Sequence, residues 1–325
     1  GKEKPFEGEW RAVEGSAWNL SPLLYKENGF SEKKDAEALM EKLGAILPRG
    51  AMSPGFSGAF LEKCEKKKEQ KNPPLLYNLA ELQNDCSKYF KISPDETLRI
   101  VQELYEKKMT TYPRTDARVL STAVAKEIHK NIGGLRNYAL AAPFAREVLE
   151  QGIYKNIAKT RYVNDKQITD HYAIIPTGQG LNNLAGLAPT AAKVYEVIVR
   201  RFLSIFYPPA QYQTVKLTIG IEKESFFAGA KVLKVPGYLE VARRPDTKEK
   251  REKEDGDGEE NNPKNSAALL KLADSLKEGD TAEVKEFLVK EGKTSPPKRY
   301  TSGSMVLAME NAGQLIEEEE LREQI

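Results

Sequence analysis

At 325 residues, 40% of them hydrophobic and 30% charged, the chain has room for two or three domains and the composition of an ordinary globular protein. No apolar run approaches the roughly 20 residues that cross a bilayer, which excludes a transmembrane helix. The formal net charge is +2, but 19 Lys/Arg stand against 13 Asp/Glu between Lys71 and Tyr207, so a basic middle suited to an anionic partner lies in an otherwise acidic chain. Two cysteines, Cys64 and Cys86, are too few for a zinc site or a disulfide framework. They read as inert, half-buried thiols in a reducing, cytoplasmic setting. The sequence opens on "GKEKPFEGEW" without an initiator Met or a secretory leader and stops inside the helix-like "AGQLIEEEELREQI". The expectation is a fragment of a longer protein.

In chain order, "EWRAVEG" reads as a strand, and "SEKKDAEALMEKLG" at 31–44 as an amphipathic helix capped by Ser31 and stopped by Gly44. "AFLEKCEKKKEQK" at 59–71 is ambiguous, with helical composition but no continuing apolar stripe. "NPPLLYNL" then breaks the chain, and the pattern from Leu79 to Tyr207 is helical. Its clearest element is "SPDETLRIVQELYEKK": Ser93 caps, Pro94 takes the first helical position, and Glu96 completes a capping box. Leu98, Val101, Leu104 and Tyr105 are expected on its apolar face. Further helices are predicted through "STAVAKEIHKNI" and "APTAAKVYEVIVRRFLSIFY". After Pro208 and Pro209, "QYQTVKLTIGIE", "ESFFAGAKVLKV" and "TAEVKEFLVKEG" read as strands. A charged, solvated loop falls at about 244–265, and its "DGDGEE" lacks the spacing of a calcium loop. The fold class expected is multidomain α+β, a β-rich domain interrupted by an all-α domain. Its divisions are 1–71, 72–209 and 210–298, with a further helical domain starting at 299–325.

Two stretches carry chemistry. In "TTYPRTD", residues 110–116, Pro113 biases Tyr112 away from helix just past a capped helix. An extended chain would turn Tyr112 and Arg114 to one side. A free phenol, with a pKa near ~10, is a poor nucleophile at neutral pH. A guanidinium beside it could stabilise a phenolate and the charge of a phosphoryl transition state. On spacing alone, one tyrosine among 14 reads first as a packing residue. In "ITDHYAIIPTG", 168–178, His171 precedes an apolar run and a proline, and a hydrogen-bonded structural histidine is the plain alternative. His129, between lysines on a predicted helix, reads as solvated surface.

Taken together, "LYEKKMTTYPRTDARVLS" and, about sixty residues on, "TDHYAIIPTG" resemble the type IA DNA topoisomerases, and within them the bacterial topoisomerase III branch. The likeness extends through "PPLLYNLAELQNDCSKYFKISPDETLRIVQELYE" and "SPPKRYTSGSMVLAMENAG", about three quarters of the chain. The resemblance implies relaxation or decatenation of DNA by single-strand cleavage, strand passage and religation. It implies a 5′-phosphotyrosyl bond on Tyr112, with Arg114 and His171 in the catalytic pocket. It further implies DNA contacts from Gln102, Glu106, Thr111, Thr115, Asp116, Arg118, Thr177 and Arg299. The covalent link conserves the energy of the broken bond, so no ATP is required, and no phosphate-cradling Gly-rich loop is present. The partner implied is single-stranded or negatively supercoiled DNA, the setting the nucleoid, and the expectation a monomer.

On the same resemblance, the β-rich parts form an arch and the helical insert a lid carrying Tyr112, which makes "AFLEKCEKKKEQK" a strand. Two departures stand out. Tyr172 occupies the place of a second histidine. The Toprim domain, which in the family binds Mg2+, is missing, so the fragment is expected to be inactive alone and to hold no metal. A tyrosine recombinase is rejected, because neither "HYAI" nor "HKNI" places an arginine three residues after histidine. A non-catalytic module that binds single-stranded DNA is the alternative.

Overall fold

The computed structural model describes residues 6–46, 58–243 and 266–312. The charged loop predicted at about 244–265, "DGDGEE" included, lies outside the described residues. The chain divides into two compact units. One is built from the described residues within Gly1–Lys71, Gln211–Val235 and Thr247–Pro296, the other from those within Asn72–Ala210, Pro236–Asp246 and Pro297–Ile325. The class is mixed α+β.

The first unit opens with β1 (Glu9–Arg11), the hairpin β2 (Leu24–Lys26) and β3 (Gly29–Phe30), helix α1 (Lys33–Ile46) and β4 (Ala59–Lys71). The chain then enters the helical unit with α2 (Leu79–Phe90), α3 (Pro94–Glu106), α4 (Thr122–Leu135), α5 (Ala142–Glu150) and α6 (Pro189–Ser204). It returns through β5 (Ala210–Ile221) and β6 (Glu224–Val235), followed by α7 (Leu239–Ala242), α8 (Ser266–Ser275), β7 (Thr281–Ala282) and α9 (Ser302–Glu310).

The sheet has the order β1-β6-β5-β4-β7, and β5 and β6 form an antiparallel hairpin from Gln211↔Val235 to Ile221↔Glu224. Val215, Leu217, Ile219 and Ile221 alternate along β5 into a core completed by Leu39 and Leu43 of α1 and Leu269 and Leu270 of α8. The buried Glu224 carboxylate is satisfied by Trp10 Nε1 at 2.8 Å, Ser16 Oγ at 2.7 Å and the Ala17 amide at 3.1 Å, tying the N-terminal segment to the hairpin.

"AFLEKCEKKKEQK" is a strand, as the family resemblance implied against its helical composition. Ala59 and Leu61 turn into the core while neighbouring strands supply the hydrogen bonds. Strand propensity reflects such surroundings more than intrinsic preference. Two expectations need correction. Helix α1 starts two residues past Ser31 and runs through Gly44 to Ile46; a helical glycine costs only about 1 kcal/mol against alanine, and Gly44 does not act as a stop. "TAEVKEFLVKEG" pairs only at Thr281–Ala282, against Phe60 and Ala59. Val284 and Phe287 still pack on the core, and among the described residues no further strand pairing follows Ala282.

The helical unit is organised around α6. Val194, Tyr195, Ile198 and Phe202 are fully enclosed and Ile205 nearly so, each worth about 1.5–3 kcal/mol of burial. On α3 the buried stripe is Thr97, Ile100, Val101 and Leu104. The predicted face therefore holds at Val101 and Leu104, while Leu98 is half-buried and Tyr105 is exposed.

Candidate active site

Helix α3 sets the approach. Ser93 Oγ accepts from the Glu96 amide at 3.1 Å and Pro94 occupies the first turn. The return arm of the predicted capping box is not made, because the Glu96 carboxylate takes Arg99 at 2.7 Å instead. The helix closes through Lys108, which adopts a left-handed backbone with φ +59°. Its amide donates to the Tyr105 carbonyl at 2.8 Å, and that of Met109 to Leu104 at 2.9 Å. A non-glycine residue there costs on the order of 1 kcal/mol.

The two motif stretches are then sewn together by threonines. The Thr111 amide donates to the Ile175 carbonyl at 3.0 Å, and Thr111 Oγ1 donates to Ala173 at 3.0 Å while accepting from the Ile175 amide at 2.9 Å. Thr115 Oγ1 donates to the His171 carbonyl at 2.8 Å. Thr177 Oγ1 donates to the Lys108 carbonyl at 2.5 Å, and its amide to Met109 at 3.0 Å. Thr111, Thr115 and Thr177 thus fix backbone geometry around Tyr112.

The product of this stitching is a cleft of about 500 Å³ lined by Tyr105, Glu106, Lys108, Tyr112, His171 and Gln179, with Thr110, Thr111, Tyr172 and Thr177 filling its wall. The Tyr112 and His171 rings lie 4.4 Å apart between centroids, tilted by 42°, and Tyr105 meets Tyr112 edge to face at 5.4 Å. Tyr172 is half-buried, and burial pushes its phenol above the ordinary tyrosine value. Tyr105, Lys108 and Gln179 were not singled out by the sequence. Helical period assigns Tyr105 to the core, and nothing in the residue types marks a left-handed Lys108.

The remaining predicted residues lie elsewhere. The Thr115 amide folds back to the Pro113 carbonyl at 3.0 Å, so the chain bends at Arg114 instead of extending. Arg114 is exposed and does not line the cleft. Gln102 Nε2 donates to Glu106 at 3.3 Å, one turn along α3. Arg118 is engaged internally, with Glu81 at 2.6 Å and the Leu76 carbonyl at 3.2 Å. Asp116 is exposed, and its carbonyl accepts from Asn78 at 3.1 Å. Arg299 is exposed in a segment without regular structure.

Support comes from beneath. The Ile174 amide donates to the Tyr77 carbonyl at 2.8 Å. The Tyr77 hydroxyl donates to Asp85 at 2.5 Å, and Arg201 binds Asp85 at 2.9 Å with its guanidinium 4.0 Å from the Tyr77 ring centroid. Burial holds the Tyr77 phenol well above its usual value, so it stays a donor. Behind Thr177, α4 touches the site loop at Gly134, where a Cβ would lie 2.0 Å from the Gly178 carbonyl oxygen; at Gly133 it would meet nothing within 4 Å. Gly134→Ala is therefore expected to destabilise the protein by about 1–3 kcal/mol through overpacking. Gly133→Ala should stabilise it by up to about 1 kcal/mol. Paired thermal melts check this, and equal shifts would refute the close approach.

Among the described residues there is no group of three or more His, Cys, Asp or Glu side chains that could hold a metal ion. No helix among them is long and apolar enough to cross a membrane.

The profile of a family described as DNA topoisomerase matches residues 18–314, and the chain belongs to the type IA DNA topoisomerases. It is 35% identical over 322 residues to DNA topoisomerase 3 of Bacillus licheniformis, covering 98% of this chain and 40% of that protein. With DNA topoisomerase 3 of Bacillus subtilis it shares 32% over 263 residues, 81% of this chain and 34% of that one. The chain thus spans well under half the length of these relatives. Its fold is similar to that of full-length topoisomerase I from Thermotoga maritima, with a TM-score of 0.54 at 20% identity over 89% of this chain and 41% of the other.

Proposed function

We propose that the chain is the strand-cleaving part of a type IA DNA topoisomerase and that Tyr112 is its nucleophile. The observation that carries this is the Tyr112 ring set against His171 in a solvent-open cleft. The Tyr112 oxygen attacks a backbone phosphorus. The O–P bond to tyrosine forms as the bond from phosphorus to the 3′ oxygen breaks, the phenolic proton passes to solvent water, and the 3′ oxygen takes a proton from water and departs as a hydroxyl. Religation reverses these steps without ATP. His171 orients the phenol, and Arg114 steadies the phosphate once DNA is bound, after rearrangement of the bend it now occupies. Gln102, Glu106, Asp116, Arg118 and Arg299 are the other DNA-facing candidates.

Relaxation or decatenation of negatively supercoiled DNA is the activity of the whole protein, in the bacterial cytoplasm at the nucleoid. Its magnesium is held by a Toprim domain outside this chain. The 325-residue chain is accordingly inactive alone and works as a monomer with that domain. The test is trapping: DNA, magnesium and the full-length protein are quenched with detergent, and the adduct is digested and mapped. A DNA-linked peptide containing Tyr112 is the expected product. A link to any other residue refutes the assignment.

A further inference from the structure

We propose that Lys108 is a phosphate-binding residue of the Tyr112 cleft, holding a backbone phosphate of the bound single strand. This rests on the reading of Tyr112 as the nucleophile and adds a cation to its site. Among the described residues, Lys108 is the one lysine or arginine that lines the cleft, whereas Arg114, the cation two residues from the nucleophile, does not. A strand entering the cleft brings negative charge toward Glu106, which lines the same wall. A fixed positive charge there offsets that repulsion, and an ammonium with three donors serves as a point contact for a phosphate.

The backbone at Lys108 is held for this. It is left-handed at φ +59°, and its carbonyl is gripped by Thr177 Oγ1 at 2.5 Å. Gly180, itself at φ +70°, packs so closely that a Cβ there would lie 2.4 Å from the Lys107 carbonyl oxygen. A strained residue that its surroundings over-determine is a mark of functional sites.

A second lysine shows the ordinary use of the same conformation. Lys91 ends α2 at φ +60°, and its Nζ turns back to cap the Lys88 carbonyl at 3.0 Å. Lys108 is exposed and makes no such return bond and no ion pair among the described residues. Its neighbour Lys107 is the one that pairs along the helix, with Glu103 at 3.6 Å. The Lys108 ammonium is left for something that enters the cleft.

The experiment measures the affinity of the 325-residue chain for a short oligothymidylate by fluorescence anisotropy from about 50 to 200 mM salt. Lys108→Gln keeps a polar side chain, one atom shorter, and loses the charge; it is expected to weaken binding about tenfold at the low-salt end. It should also reduce the slope of log affinity against log salt by about 0.7, the value of one phosphate on a single strand. Lys108→Arg is expected to keep the slope. An unchanged slope in Lys108→Gln, with the unsubstituted chain binding in a salt-sensitive way, overturns the role of Lys108 and leaves Tyr112 untouched. Salt-insensitive or absent binding by the unsubstituted chain also overturns the role of Lys108, while the reading of Tyr112 stands or falls on the mapped adduct.

Discussion

Tyr112→Phe is expected to abolish the covalent DNA adduct of the full-length protein, by at least about a thousandfold or ~4 kcal/mol of barrier, with fold and DNA affinity intact. The separation of effects follows from the geometry. Among the described residues the Tyr112 hydroxyl makes no hydrogen bond, and the ring is held through its contacts with Tyr105 and His171. Phenylalanine keeps those contacts and leaves no buried donor or acceptor without a partner, which is the usual source of loss on removing a hydroxyl. Detergent trapping, a thermal melt and an anisotropy titration on the same preparation report the three quantities separately. An adduct of undiminished yield would sink Tyr112 as nucleophile. A fall in melting temperature together with the adduct would mean the hydroxyl has a structural duty.

Arg201→Met carries the largest expected stability effect, a loss of about 3–5 kcal/mol. Arg201 and Asp85 are both largely enclosed, with side-chain exposures of 15% and 13%. Arg201 also donates to the Leu75 carbonyl at 3.0 Å and covers the Tyr77 ring. Removing it leaves a buried carboxylate with the Tyr77 hydroxyl as its remaining side-chain partner. The loss is the cost of that uncompensated charge, so Arg201→Met combined with Asp85→Leu should recover much of it, since buried ion pairs replaced whole are often near neutral. Urea unfolding of the two variants decides the matter; equal losses would show that packing around Arg201, not its charge, is what counts. Because Tyr77 also bonds Ile174 two residues past Tyr172, the single variant should loosen the wall of the cleft as well.

The sequence was most legible where a local rule and the tertiary surroundings agree. Ser93 and Pro94 started α3 as their chemistry requires, and the β5–β6 hairpin followed from alternation. Legibility failed where a competing neighbour decides. Arg99, one turn along the same helix, draws Glu96 away from its capping box. Sheet partners turn a lysine-rich segment at Ala59–Lys71 into a strand. Among the described residues, pairing ends at Ala282 although β-forming residues continue.

In the site itself, the two motif stretches marked Tyr112 and His171, and the structure brings their rings together. The threonines were marked as DNA contacts, and the structure engages their hydroxyls with backbone. Arg114 lay beyond reach of a spacing argument because the turn after Pro113 is set by a hydrogen bond between Thr115 and Pro113. Lys108 was invisible because a left-handed helix end is normally announced by glycine, and here a lysine fills it.

The insertion of the helical unit between two neighbouring strands carries a kinetic consequence. β4 ends at Lys71 and β5, beside it in the sheet, begins at Ala210, so their pairing closes a loop of nearly 140 residues. For a flexible chain that closure costs about 4 kcal/mol of entropy. Once the helices have condensed around α6 the same ends are joined by a compact body and the cost falls. The sheet is therefore the late-forming part, and the contacts of highest sequence separation wait on the most local ones. Pulse-labelled hydrogen exchange during refolding should find the amides of α6 protected before those that join β5 to β4. The reverse order would show that the sheet closes across an unfolded insert. A nascent chain that has not yet made residue 210 already holds every residue that lines the cleft, well before the β5 half of the sheet exists.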